Sequence, residues 1–173
     1  MGVDVNEDIL RTARTRVRAA GLEHVSFVAG DARTALLPDD FDAVVGRLVL
    51  MYMADPGQAL RSLARHVRPG GILAFQEMDF TIGHAYAAAG YMSALGEQVW
   101  TWLLQVFARS GAHAAMGLDL YRAFCEAGLG APEMALHAPV GGGRDWPGYD
   151  YSAESFRSFL PLLEQYGIAT ATE

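Results

Sequence analysis

The stretch Val25-Ser26-Phe27-Val28-Ala29-Gly30-Asp31-Ala32 decides the fold. Val25, Phe27 and Val28 are strand formers in a short apolar run, and Gly30-Asp31 ends it. An acid at the carboxyl end of a strand stands where open α/β sheets bind ligands. A second acid, Asp4, closes the strand-like Gly2-Val3-Asp4 one helix length upstream. Two carboxylates on the rim of a parallel sheet, one strand apart, suit a nucleoside. One would take the ribose hydroxyls and the other an exocyclic amine.

The segment between the two acids reads as a helix. Asn6 is suited to cap it, and Glu7 and Asp8 favour its positive end. Ile9, Leu10, Ala13, Val17 and Ala20 recur at helical spacing on one apolar face, and Gly21 stops the helix. Beyond Asp31, Pro38-Asp39-Asp40 signals a turn, and Phe41–Gly46 reads as the next buried strand. Asp55-Pro56 opens a second helix, expected to run through Leu60, Leu63, Ala64 and Val67 and to end at Arg68-Pro69-Gly70-Gly71. Gly71–Gln76 is a further apolar strand, followed by Glu77 and Asp79. Strands alternating with helices imply a parallel sheet with right-handed crossovers. The second half reads differently: a long helix over Tyr91–Arg109, another over Leu118–Ala127, a strand over Pro132–Val140, a Gly141–Gly143 loop, and a last amphipathic helix over Ala153–Tyr166.

Composition narrows the function. With 51% hydrophobic and 19% charged residues, the chain is globular. No apolar run approaches the ~18 residues of a membrane span, and no secretory signal opens the sequence. The single cysteine, Cys125, is read as a buried helix residue; it rules out an internal disulfide and a cysteine-based metal site. A cytoplasmic setting is expected. A net charge of −7 argues against nucleic-acid partners and for a small-molecule substrate. All 13 basic residues counted as Lys or Arg are arginine, which excludes lysine Schiff-base and P-loop chemistry. The five histidines show no HxH or HxxxH spacing, so no metal site is expected.

In this order the segments resemble the Rossmann-like class I S-adenosylmethionine (SAM) methyltransferases, nearest the small-molecule branch with the ubiquinone/menaquinone-type enzymes. Gly2-Val3-Asp4 before Asn6–Leu10 resembles the strand whose terminal acid holds the ribose. Val28–Ala32 resembles the strand whose acid accepts from the adenine amine. Phe41–Val45 with Val49-Leu50 resembles the next strand and its substrate-side loop, and Leu63–Leu73 resembles the lead into the one after. The resemblance implies an α/β, Rossmann-like, mainly parallel sheet flanked by helices, incomplete at both ends, with a helical substrate cap. It implies one domain: residues 1–79 a partial cofactor-binding core, 80–130 a mainly helical cap, and 131–173 a strand and a helix. The family's first strand and glycine-rich turn precede the ribose acid by roughly twenty residues. Here the acid is residue 4 and no GxGxG occurs, so a fragment or a misassigned start is expected.

The resemblance also implies roles. SAM would be held by Asp4, Val5, Asp31 and Ala32, with Val5 packed on the adenine and the Ala32 N–H donating to it, and by Gly46, Arg47 and Leu48 on its methionine part. Asp4 also reads as a helix cap, Asp31 as a turn residue, Val5 as core and Arg47 as a solvated loop arginine. Met51, Tyr52, Tyr86 and Trp100 are substrate-side candidates that equally suit packing. Glu77 and His84 are the candidates for a base, although an activated sulfonium needs one only for a weakly acidic acceptor. The implied activity is SAM-dependent methyl transfer to a small, partly apolar molecule. Two other readings remain open. One is a non-catalytic methyltransferase-like binding or assembly module, whose exposed strand edges invite homodimerisation. The other is a nicotinamide-dependent dehydrogenase, which uses a similar ribose acid.

Overall fold

A computed structural model describes residues 1–38, 40–138 and 141–172, apart from the side chain of His84. The chain divides into two compact units, Met1–Val45 with Gln58–Ala74, and Gly46–Gly57 with Phe75–Glu173.

In the first unit, β1 (Gly2–Asp4) runs parallel to β2 (Phe27–Ala29), in a register that pairs Gly2 with Phe27, Val3 with Val28 and Asp4 with Ala29. The crossover between them carries α1 (Glu7–Ala19). The Asn6 side chain accepts from the N–H groups of Asp8 (2.9 Å) and Ile9 (3.3 Å), satisfying donors that no helical carbonyl reaches. Of the apolar face expected on α1, only Leu10 is buried; Ile9 is 53% exposed and lines an open groove with Ala13 and Val17. The strand expected from Val25 up to Gly30-Asp31 is shorter than its apolar run, because only Phe27–Ala29 lies opposite a three-residue β1.

The other two strands, β3 (Phe41–Arg47) and β4 (Val67–Gln76), pair with each other. The Phe41 N–H donates to the His66 carbonyl (2.9 Å) near their starts and the Leu48 N–H to the Gln76 carbonyl (2.9 Å) at their ends, so they run in the same direction. Among the described residues the four strands therefore form two parallel pairs, β1-β2 and β3-β4. Between β3 and β4, α2 (Pro56–Ala64) starts at the proline expected to open it but stops short of Val67, which already belongs to β4. Gly70, at φ +77°, supplies the left-handed turn inside β4, and Gly71 has room for no side chain, since a Cβ would stand 2.8 Å from the Asp42 carbonyl. Ala59, Leu60 and Leu63 of α2 are buried.

The second unit is helical: α3 (Ile82–Ala88), α4 (Ala94–Ser110), α5 (Met116–Glu126) and α6 (Gly148–Gln165), with a 3-10 turn at Leu50–Tyr52. The long helix expected from Tyr91 begins only at Ala94. Gly90 at φ +76° ends α3, and the Ser93 hydroxyl caps α4 by accepting from the Gly96 N–H (3.2 Å). No strand forms over Pro132–Ala138; Pro139 and Val140 lie outside the described residues. The buried residues of this unit include Leu50 and Met51, Leu103, Val106 and Phe107 of α4, and Met116, Leu120, Ala123 and Phe124 of α5. Cys125 is exposed, contrary to the buried position expected, because it turns away from the α5 face that carries Phe124.

Candidate functional site

The two acids stand on neighbouring strand tips. Asp4 is the last residue of β1, its carbonyl accepts from the Gly30 N–H (2.9 Å), and Asp31 follows directly. Asp4 Oδ1 accepts from the Asn6 N–H (2.7 Å), which aims the carboxylate at the start of α1. Asp31 begins a turn in which its carbonyl accepts from Thr34 (3.0 Å) and Ala35 (2.7 Å). Its carboxylate accepts from the Arg33 backbone N–H (2.9 Å) and from the Arg33 guanidinium. Those hydrogen bonds, the side-chain ones foremost, lower the Asp31 pKa to about 2. Val5, between the two tips in sequence, is 74% exposed. Ala32 lies in the Asp31 turn.

The remaining candidates belong to the second unit. Leu48 adopts φ +53°, unusual for a branched side chain, and Val49 follows in the right-handed region (φ −119°, ψ −41°). That alternation turns successive N–H groups inward as an anion-binding nest. The anion is Glu77, whose Oε1 accepts from Val49 (3.0 Å) and Leu50 (2.9 Å). Glu77 Oε2 is buried with no hydrogen-bond partner among the described residues. On the other side of the turn, the His113 N–H donates to the Met51 carbonyl (2.7 Å) and its ring Nε2 lies 2.9 Å from the Met53 carbonyl. No local spacing signals His113 as a brace, because its partners lie about sixty residues away. Gly46 is held against the Phe75 ring, where a Cβ would come within 2.3 Å, and Arg47 is the last residue of β3.

The braced turn buries Met51 and leaves Tyr52 62% exposed as a residue. Partial desolvation of its hydroxyl, and secondarily the Glu77 charge, push the Tyr52 pKa up. Glu77→Gln should keep an acceptor for both N–H groups but remove the charge, so the Tyr52 midpoint falls while Val49 and Leu50 amide exchange stays slow. Glu77→Leu should lower the midpoint and speed exchange of both amides. Site-resolved tyrosine titration and hydrogen exchange check this; equal amide protection in both variants would contradict it. Trp100 is committed to packing: its indole N–H donates to the Phe80 carbonyl (2.9 Å), its ring meets Phe156 edge-on, and the indole lies against Gly83, where it leaves no room for a Cβ. Tyr86 is half exposed on α3, and the His84 side chain lies outside the described residues. Among the described residues no group of three or more His, Cys, Asp or Glu could hold a metal, and no helix is long and apolar enough to cross a membrane.

Parallel strands, a crossover helix and acids at adjacent strand tips define a Rossmann-like α/β arrangement. Residues 1–75 match the family described as a methyltransferase domain. The methyltransferase GfsG of Streptomyces halstedii is 40% identical over 79 residues, 44% of this chain and 28% of that protein. The ubiquinone/menaquinone biosynthesis C-methyltransferases UbiE of Pectobacterium carotovorum and Shewanella frigidimarina are 34% and 36% identical over 78 residues, 44% of this chain and 31% of each. The chain thus spans less than a third of the curated relatives it matches. Residues 1–75 are thus similar to the methyltransferase domain family and to part of each of these methyltransferases.

Proposed function

We propose that this chain binds SAM and serves methyl transfer to a small, partly apolar molecule. The observation that carries this is the register of β1 and β2, which brings Asp4 and Asp31 to adjacent tips of one parallel pair. In the proposed site, Asp4 accepts from the ribose hydroxyls through the oxygen that Asn6 does not use. Asp31 accepts from the adenine amine, the Ala32 N–H donates to the ring, and Val5 covers its face. SAM, when bound, supplies an activated methyl group, so the chain's own task is to orient its reactants and exclude water. The overall charge of −7 supports a small acceptor over a nucleic acid, and a lone cysteine fits a reducing cytoplasm.

A second reading, a binding or assembly module, is favoured by a different observation. Each strand has a partner on one side only among the described residues, and Val45 of β3 and Ile72 of β4 are 75% and 62% exposed. Calorimetric titration of SAM into the whole chain separates the two. Saturable binding lost in Asp4→Ala and Asp31→Ala supports the first; no heat at millimolar SAM supports the second.

A further inference from the structure

Asp31 is engaged by a residue that adenosine recognition does not by itself require. The Arg33 Nε–H lies 2.9 Å from Asp31 Oδ1 and 3.0 Å from Oδ2, and an Arg33 terminal NH2 also donates to Oδ2. The Arg33 backbone N–H adds a bond to Oδ1 (2.9 Å). A carboxylate on a single bond would otherwise rotate. Here a planar fork and a backbone donor fix its plane within a turn that Thr34 and Ala35 close. The side chains of the pair are about one-third exposed, at 36% for Arg33 and 30% for Asp31, so the contact adds little to the stability of the fold. Its consequence lies in orientation. An ionised carboxylate offers about four acceptor directions and no donor. The fork takes one direction on each oxygen, its Nε–H being shared between them, and the backbone N–H takes a second on Oδ1, which leaves one direction on Oδ2 for an incoming N–H.

We propose that Arg33 is a positioning and specificity-determining residue, which holds Asp31 as a fixed, acceptor-only group and so selects a base whose facing edge carries an amine. The proposal rests on the adenosine reading of the site. A 6-oxopurine would set a carbonyl oxygen against the carboxylate, two acceptors with no proton between them. The lowered Asp31 pKa agrees with the geometry, since the same Arg33 bonds are its largest cause.

The test uses adenosine and inosine as probes of the full chain at pH 7, with Arg33→Met, Arg33→Lys and Asp31→Ala. Arg33→Met should bind adenosine roughly three- to tenfold more weakly while inosine binding changes little, so the preference between them narrows. Arg33→Lys should recover part of the loss, because an ammonium supplies charge without the fork. In carbon-13 NMR, the Asp31 carboxyl should titrate near 2 in the wild type and shift towards 3.8 in Arg33→Met. If Arg33→Met binds adenosine as tightly or more tightly, with the preference unchanged, Arg33 competes with the base and the proposal is overturned. Loss of adenosine binding in Asp31→Ala alone would overturn the role of Arg33 and leave the site reading standing. A wild type that binds neither nucleoside, or an Asp31→Ala that binds adenosine normally, would overturn both.

Discussion

Asp31→Ala is expected to bind SAM about 10- to 100-fold more weakly than the wild type, and Asp4→Ala to lose a comparable factor. A hydrogen bond to a charged group contributes about 1.5–3 kcal/mol, and about 1.4 kcal/mol is tenfold in affinity. Neither acid belongs to the buried core, so both variants should keep their fold. The two losses should not simply add. Both carboxylates would hold one rigid nucleoside, and releasing either end loosens the other. The Asp31 contribution should also resist acid. Its folded pKa of about 2 lies below the 3.8 of a free carboxyl, so the ionised form persists as pH falls from 7 to 4 and is lost only on approach to 2. Calorimetry of the single and double variants measures all of this.

Phe107→Ala is expected to cost about 3–5 kcal/mol of stability, the largest effect of any single truncation proposed. The ring is 2% exposed, its centroid lies 4.7 Å from that of Phe80, and Phe159 meets it edge-on at 5.8 Å. Removing it loses transfer energy, leaves a cavity between α4 and α6, and breaks two aromatic pairs of about 0.5–1.5 kcal/mol each. Against a typical stability of about 5–15 kcal/mol, that is enough to populate the unfolded helical unit. Tyr91→Ala, at a residue 81% exposed, should change stability by less than about 0.5 kcal/mol and serves as the control. Urea denaturation followed by circular dichroism compares them.

The legible parts of the sequence were those governed by local chemistry. Asn6 caps α1 because an amide oxygen there reaches two free N–H groups, and Pro56 starts α2 because a helix's first position needs no donor. Gly30-Asp31 ends β2 for similarly local reasons. The misplaced boundaries were decided by competition. Tyr91–Ser93 has a helical composition, but Gly90 and the Ser93 cap break the helix there. Val67 continues the apolar period of α2, yet strand pairing claims it. The brace on the 3-10 turn was not legible at all, since Glu77 and His113 reach it across 28 and 60 positions respectively. Arg33 carries no signal in the sequence for another reason: an arginine two residues after an acid is ordinary, and only the fork geometry distinguishes it.

The central claim is that one adenosine is held between the tips of β1 and β2. Amide NMR of the isotopically labelled chain titrated with adenosine tests it most directly. The account predicts that the largest shifts fall at Val5, Asn6, Ala32 and Arg33, with ribose protons giving contacts to the β1 tip and base protons to the Asp31 turn. Saturable binding that shifts resonances elsewhere and leaves those four amides unmoved would contradict it.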